Sequence, residues 1–201
     1  MDNELGSITP GKCADIVFLD SLDTLNVTRM MMDGEVVAED GEPLFDYPRF
    51  EFPEWVTHSM HLGRTLAPED FAVAAPEGAA DGSAVKVRAI EIVPGKVGTF
   101  EAHVDLAVED GQLASDLGQD VLKTFVFERH HETGTFGVGF AKGFGIKRGA
   151  MASTVAHDAH NLLVVGTNDA DMALAANTLA ECGGGMVVVA DGEVLGLVEL
   201  P

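Results

Sequence analysis

The sequence predicts an α+β domain with a mixed, mostly antiparallel sheet, hairpins and one or two packed helices, preceded by a short β-rich piece. Apolar and polar residues alternate over 84–93, as in a half-buried strand. Asp-Gly pairs, which favour tight hairpin turns, stand between apolar runs. These pairs are Asp33-Gly34, Asp110-Gly111 and Asp191-Gly192. Hairpins with so few helical segments argue against a doubly wound parallel sheet.

The composition divides the chain into three parts. Residues 1–45 read as a strand-rich piece that is too small to stand alone and should pack on the rest of the chain or on a further domain. Residues 46–83 are rich in proline and glycine and predict a linker that wraps a surface. Residues 84–201 form the main α+β unit.

One helix has clear end signals. Asn168 or Thr167 can cap its start, and Asp169 and Asp171 would lie in its first turn, where the helix dipole favours negative charge. The run Gly183-Gly184-Gly185 predicts its end. This glycine run follows a helix and lacks the lysine and hydroxyl of a phosphate loop, so we interpret it as a cap and tight turn.

Charge and cysteine content limit the classes of function. The 201 residues include 33 acidic and 12 basic side chains, for a net charge of −21, which argues against binding nucleic acid or anionic membranes. The diffuse acidity suggests a halophilic source. Cys13 and Cys182 stand alone, and no secretory or membrane-spanning run is present, so a cytoplasmic protein is expected.

The segment HDAHN carries the first cluster of candidate site residues: His157, Asp158, His160 and Asn161. At a strand end, both imidazoles can converge on one ligand, which favours a site at the rim of the sheet. One interpretation is a metal or substrate site in which Asp158 orients a histidine. The alternative is a hydrogen-bonded turn, which the spacing alone favours because a third metal ligand is missing.

A second cluster is Glu128-Arg129-His130-His131, in a basic segment of a very acidic chain. It indicates either ion pairing that positions a site or contact with an acidic partner, and an ordinary Glu-Arg pair on a strand explains it equally well. His58 and His61 have a spacing that could serve a metal, but no further ligand lies near them in sequence. A solvated or capping pair is the favoured interpretation.

Two long segments, DVLKTFVFERHHETGTFGVGFAKGFGIKRGAMASTVAHDAHNLLVVGTNDADM and GGGMVVVADGEVLGLVELP, resemble the C-terminal part of adenine deaminases, which belong to the amidohydrolase superfamily. The start, GSITPGKCADIVFLD followed by VTRMMMDGEVV, resembles the strands that complete the β-sandwich of amidohydrolases. The cluster departs from the family at Ala159, where a serine is more usual, which would remove a hydroxyl contact.

The resemblance implies hydrolytic deamination of adenine to hypoxanthine and ammonia on a (β/α)₈ barrel that binds a divalent metal, manganese or iron. No barrel strands or barrel metal ligands have counterparts here, so the chain is expected to be a C-terminal portion that binds no metal and is inactive alone. Its expected partners are adenine, the missing amidohydrolase barrel and, as a homo-oligomer, further copies of itself.

The resemblance also suggests roles for the two clusters. His157 and His160 would hydrogen-bond substrate or metal-bound water, and Asp158 would set a histidine tautomer. The substrate-binding set would comprise Glu128, Arg129, His130 and Asn161. One alternative is a non-catalytic structural or oligomerisation module with a buried histidine network. Another is a self-sufficient metal-binding protein that uses His58, His61, His157 and His160.

Overall fold

A computed structural model describes residues 3–46 and 50–200. The chain divides into two compact units, Met1–Glu51 and Phe52–Pro201. Within the linker predicted over 46–83, Tyr47, Pro48 and Arg49 lie outside the described residues, as does Pro201 at the end of the predicted main unit.

The first unit is a four-stranded antiparallel sheet in the order β1-β2-β3-β4. Its strands are β1 (Ile16–Leu19), β2 (Val27–Met32), β3 (Glu35–Glu39) and β4 (Glu42–Pro43). The predicted hairpin at Asp33-Gly34 is confirmed, with φ of 48° and 85°, as a tight turn between strands requires. None of the described residues of this unit is fully buried, which fits a piece that depends on a larger body for its stability.

The second unit contains a nine-stranded sheet in the order β13-β12-β10-β11-β8-β9-β5-β6-β7. The strands are β5 (Ala84–Ile92), β6 (Thr99–Glu109), β7 (Gln112–Leu113), β8 (Val121–Phe127), β9 (Phe136–Lys142), β10 (Ala150–Ser153), β11 (Leu162–Gly166), β12 (Gly185–Ala190) and β13 (Glu193–Glu199). Every neighbouring pair is antiparallel except β5 with β9. The predicted α+β class with a mixed, mostly antiparallel sheet is therefore confirmed.

Helical structure is sparse, as predicted. It comprises α1 (Glu54–Thr57), a 3₁₀ turn (Pro68–Phe71) and α2 (Asp169–Cys182). The Asn168 side chain caps α2 by accepting a hydrogen bond from the Asp171 N–H at 2.9 Å, and Gly183 ends the helix with a φ of 89°. No helix in the described part of the chain is both long and apolar enough to cross a bilayer.

The two faces of the large sheet differ. Helix α2 packs on one face, over β10, β11 and β12, and forms a core with Phe125, Leu162 and Val164. Phe71, from the predicted linker, is fully buried in this core and makes edge-on ring contacts with Phe125 and Phe127. On the same face, the outer strands β5 and β6 form a second core that includes Ala89 and Leu106.

Candidate functional site

Strand pairing brings the two predicted clusters together. Strand β8 ends at Phe127 and β11 begins at Leu162, and these two residues are direct partners in the antiparallel ladder. The loop that leaves β8 (residues 128–135) and the loop that enters β11 (residues 154–161) therefore meet at the same end of the sheet. We call this pair of loops the rim. The predicted location of HDAHN, at a turn beside a strand end, is confirmed.

Arg129 holds the rim together from inside. Its side chain is only 9% exposed. Its Nε donates a hydrogen bond to the carbonyl oxygen of His160 at 2.5 Å, and its Nη1 donates to the Ser59 carbonyl at 3.0 Å and hydroxyl at 2.6 Å. Its own carbonyl accepts from the His61 N–H at 2.7 Å. One guanidinium thus joins three segments that are distant in sequence, and its burial lowers the pKa of Arg129.

The Glu128 carboxylate organises its own loop and does not pair with Arg129. It accepts hydrogen bonds from the His130 N–H at 2.6 Å, the His131 N–H at 3.1 Å and the Thr133 hydroxyl at 3.0 Å. Desolvation acts to raise the pKa of Glu128, but these hydrogen bonds outweigh it and lower the pKa to about 2. The ordinary Glu-Arg pair on a strand, considered from the sequence, is not formed, because both residues lie in the loop and each has other partners.

Histidines cover the outside of the rim. The Nε2 of His130 lies 2.9 Å from the Ala159 carbonyl, which links the two loops directly. The rings of His157 and His160 are both exposed, and their centroids are 6.4 Å apart. The His160 N–H donates to the Ala156 carbonyl at 2.8 Å and closes the turn. An imidazole ring can both donate and accept hydrogen bonds.

Two predicted site residues, Asp158 and Asn161, lack the side-chain hydrogen bonds that would define their roles among the described residues. The Asp158 carboxylate makes no hydrogen bond to a histidine within the described residues; its backbone lies in the left-handed region at a φ of 69°. The Asn161 Oδ1 atom is buried and has no hydrogen-bond partner among the residues that the structure describes. Because His157 and His160 are exposed, the structure does not contain the buried histidine network of the structural-module alternative.

Sequence reasoning missed the contribution of Ser59. Nothing in THSMH marks this serine as a partner of Arg129, since the two residues are far apart in sequence and only the fold brings them together. The capping interpretation is confirmed for His58, which follows α1 and whose N–H donates to the Glu54 carbonyl at 2.9 Å.

The rim contains no metal centre of its own. Across residues 3–46 and 50–200, no three His, Cys, Asp or Glu side chains are grouped so that they could hold a metal ion. The four histidines of the metal-binding alternative therefore do not form a ligand set. What the rim offers is a set of exposed imidazoles on rigid, internally hydrogen-bonded loops, suited to polar contacts with a ligand or a neighbouring domain.

Two other cations in the segment from Lys123 to Arg148 are paired with carboxylates. Lys123, which is nearly fully buried, pairs with Asp169 and donates to the Phe71 carbonyl at 2.9 Å. Lys142 lies 3.2 Å from Glu91. Arg129 differs from them because its guanidinium binds only neutral oxygens in the described part of the chain.

Comparisons with known proteins agree with this organisation. The sequence profile of the family described as adenine deaminase C-terminal domain matches residues 96–201. An adenine deaminase of Clostridium botulinum (strain ATCC 19397 / Type A) is 58% identical over all 201 residues of the chain. Those of Moorella thermoacetica and Roseobacter denitrificans are 51% and 44% identical over 98% and 100% of it.

The fold and the rim define an α+β domain with a histidine-rich edge. The chain belongs to the adenine deaminase C-terminal domain family. It spans 33% of the length of each of these curated relatives.

Proposed function

We propose that this chain is the C-terminal portion of an adenine deaminase, which converts adenine to hypoxanthine and ammonia by hydrolysis. The chain is 58% identical over its full length to an adenine deaminase, which supports its assignment to this reaction. The observation that carries the role of this portion is the rim: two loops that Arg129 fixes in place, with His157 and His160 exposed on their outer side.

The donor set of the described residues does not fit a catalytic metal, so no metal-dependent step is assigned to this chain. In the proposed enzyme, the divalent metal, manganese or iron, belongs to an amidohydrolase barrel in the remaining two thirds, where it would activate water for attack on the purine. We assign the isolated chain no deaminase activity.

In this proposal the rim supports substrate binding. His157 and His160 hydrogen-bond the purine, while Asn161 and His130 complete the polar surface around it. Arg129 and Glu128 do not touch the substrate but hold the backbone that presents these side chains. Asp158 orients one of the two histidines in the assembled enzyme.

The remaining features fit the same proposal. The first unit supplies strands that complete the β-sandwich of the amidohydrolase. The net charge of −21 supports a halophilic enzyme that binds neither nucleic acid nor membranes, and the two lone cysteines support a cytoplasmic one. Assembly into a homo-oligomer is part of the proposal.

The test is a chimera in which this chain replaces the corresponding third of the Clostridium botulinum enzyme. Ammonia release from adenine is expected from the chimera and not from the isolated chain. His157→Ala should lower kcat/KM by about tenfold, because loss of one substrate hydrogen bond costs about 1 to 1.5 kcal/mol. His103→Ala, at an exposed histidine on β6, is the matched control and should have no effect.

The competing function is a non-catalytic structural module, favoured by the internal hydrogen bonds of Arg129 and Glu128. It predicts the opposite result. His157→Ala would then lower the melting temperature of the chimera and leave kcat/KM unchanged, and that outcome would remove the substrate-binding role.

A further inference from the structure

The sheet face opposite α2 changes character between β5 and β9. On β5 and β6 this face carries charged side chains, among them Arg88 paired with Glu101. On β9, β8, β11, β10 and β12, all within the described residues, the positions in register on this face are uncharged. The patch continues onto β13 at Gly196 and Val198 and ends at Glu193. We call these positions the uncharged half of the face.

The uncharged half is mostly apolar and partly open to solvent: Leu122 and Val165 on this face are fully buried, whereas the side chains on β12 and β13 are exposed. Its apolar side chains include Val126, Met151, Leu163, Met186, Val188 and Val198. Met186, Val188 and Val198 are 44%, 51% and 53% exposed. Exposed apolar side chains grouped in this way in a chain with 33 acidic residues mark an interaction site, because charged residues would otherwise be the common choice on an exposed face.

Glycines make the same surface accessible to close contact. Gly137 and Gly139 on β9 and Gly196 on β13 all lie on this face. A Cβ atom at any of them would meet no other atom within 4 Å, so the space above each is open. A flat surface with glycines among Val and Met side chains suits a rigid element that packs directly on the strands.

We propose that the uncharged half is the surface on which the remaining two thirds of the adenine deaminase docks. This inference rests on the proposed function and names the partner that packs beside the rim. A sheet needs an apolar face covered by another layer, and α2 covers only the opposite side. The relatives are three times as long as this chain, which spans 33% of each, so the same polypeptide provides a covering partner.

Physical arguments favour this occupant over a second copy of the chain. Two copies pressed together through this face would each bring a net charge of −21 and would repel one another, so the proposed homo-oligomer uses another surface. A partner in the same polypeptide is present at a high effective concentration, so an interface of ordinary interdomain size is sufficient to keep the face covered.

Cysteine labelling tests the proposal in the isolated chain and in the chimera. With C13S and C182S as background, Val188→Cys and Met186→Cys place a thiol on the uncharged half. Arg88→Cys places one on the charged half of the same face, where the arginine side chain is 76% exposed. In the chimera, maleimide labelling at 188 and 186 should be at least about tenfold slower than in the isolated chain, since it then requires interface opening. Labelling at 88 should be equally fast in both.

Equal labelling rates at 188 in the isolated chain and the chimera would overturn the docking proposal, whether or not the chimera is active. Slow labelling in the isolated chain that becomes fast on dilution would identify a second copy as the occupant and would also overturn it. Deaminase activity of the chimera is measured separately. Protection at 188 without activity would support docking while contradicting the proposed function.

Discussion

Replacing Arg129 with methionine tests whether one buried guanidinium holds the rim. Methionine keeps much of the side-chain volume and removes the donors that reach the His160 carbonyl and both oxygens of Ser59. Each hydrogen bond to a charged group makes a net contribution of about 1.5 to 3 kcal/mol to the stability of the folded state. The variant also avoids the cost of desolvating the cation, the same burial that lowers the pKa of Arg129.

We therefore expect Arg129→Met to lower the free energy of unfolding by about 3 kcal/mol, well below the summed contributions of the three hydrogen bonds. For a domain of this size the melting temperature should fall by about 6 to 12 °C. Urea and thermal unfolding followed by circular dichroism measure the loss. Hydrogen exchange at the His61 amide, which donates to the Arg129 carbonyl, reports the same loss locally.

Two controls make this result specific. Arg148→Met removes an exposed arginine that pairs with the exposed Asp191, and it should change stability by less than about 0.5 kcal/mol. Arg129→Lys keeps the charge but cannot reproduce the planar fork, so it should recover only part of the loss. If Arg129→Met is no more destabilising than Arg148→Met, the guanidinium does not hold the rim.

Three further predictions concern the loops and the helix. The folded pKa of Glu128, about 2, lies below its ordinary value of 4.5, so its stabilisation is complete above pH 4.5 and lost as the pH falls toward 2. The urea midpoints of wild type and Glu128→Gln should therefore differ at pH 7 and converge near pH 2; a constant gap would contradict this. The Asp171 carboxylate accepts hydrogen bonds from the Asp191 and Gly192 N–H groups at 3.1 and 2.8 Å. Asp171→Ala should therefore lower the free energy of unfolding, measured with urea, by about 2 to 4 kcal/mol. Gly185→Ala would place a Cβ 2.0 Å from the Val198 carbonyl oxygen and should lower the melting temperature far more than Gly192→Ala, which has open space; equal losses would refute the steric reasoning.

Local patterns in the sequence predicted local structure well. The alternation over 84–93 became β5, with Val85, Val87 and Ala89 toward the core. The three Asp-Gly turns and the Asn168 cap are confirmed. Each of these depends on backbone preferences or on hydrogen bonds within a few residues, which a single sequence records directly.

Long-range pairings could not be predicted in the same way. The parallel contact between β5 and β9 joins strands that many residues separate, and no turn signal links them. The burial of Phe71 against Phe125 and Phe127 depends on where the predicted linker runs across the sheet. The Ser59 contact to Arg129 has the same origin, so the interior support of the rim was missed although its exposed residues were found.

The rim and the uncharged half of the face are parts of one surface. Val126 and Leu163, which lie on the uncharged half and pair with each other, are next to Phe127 and Leu162, where one rim loop leaves β8 and the other enters β11. A domain that docks on the uncharged half would therefore meet the loops at its edge. In the docking proposal, the docked face would fix the position of the histidine-rich loops, while Arg129 fixes their shape.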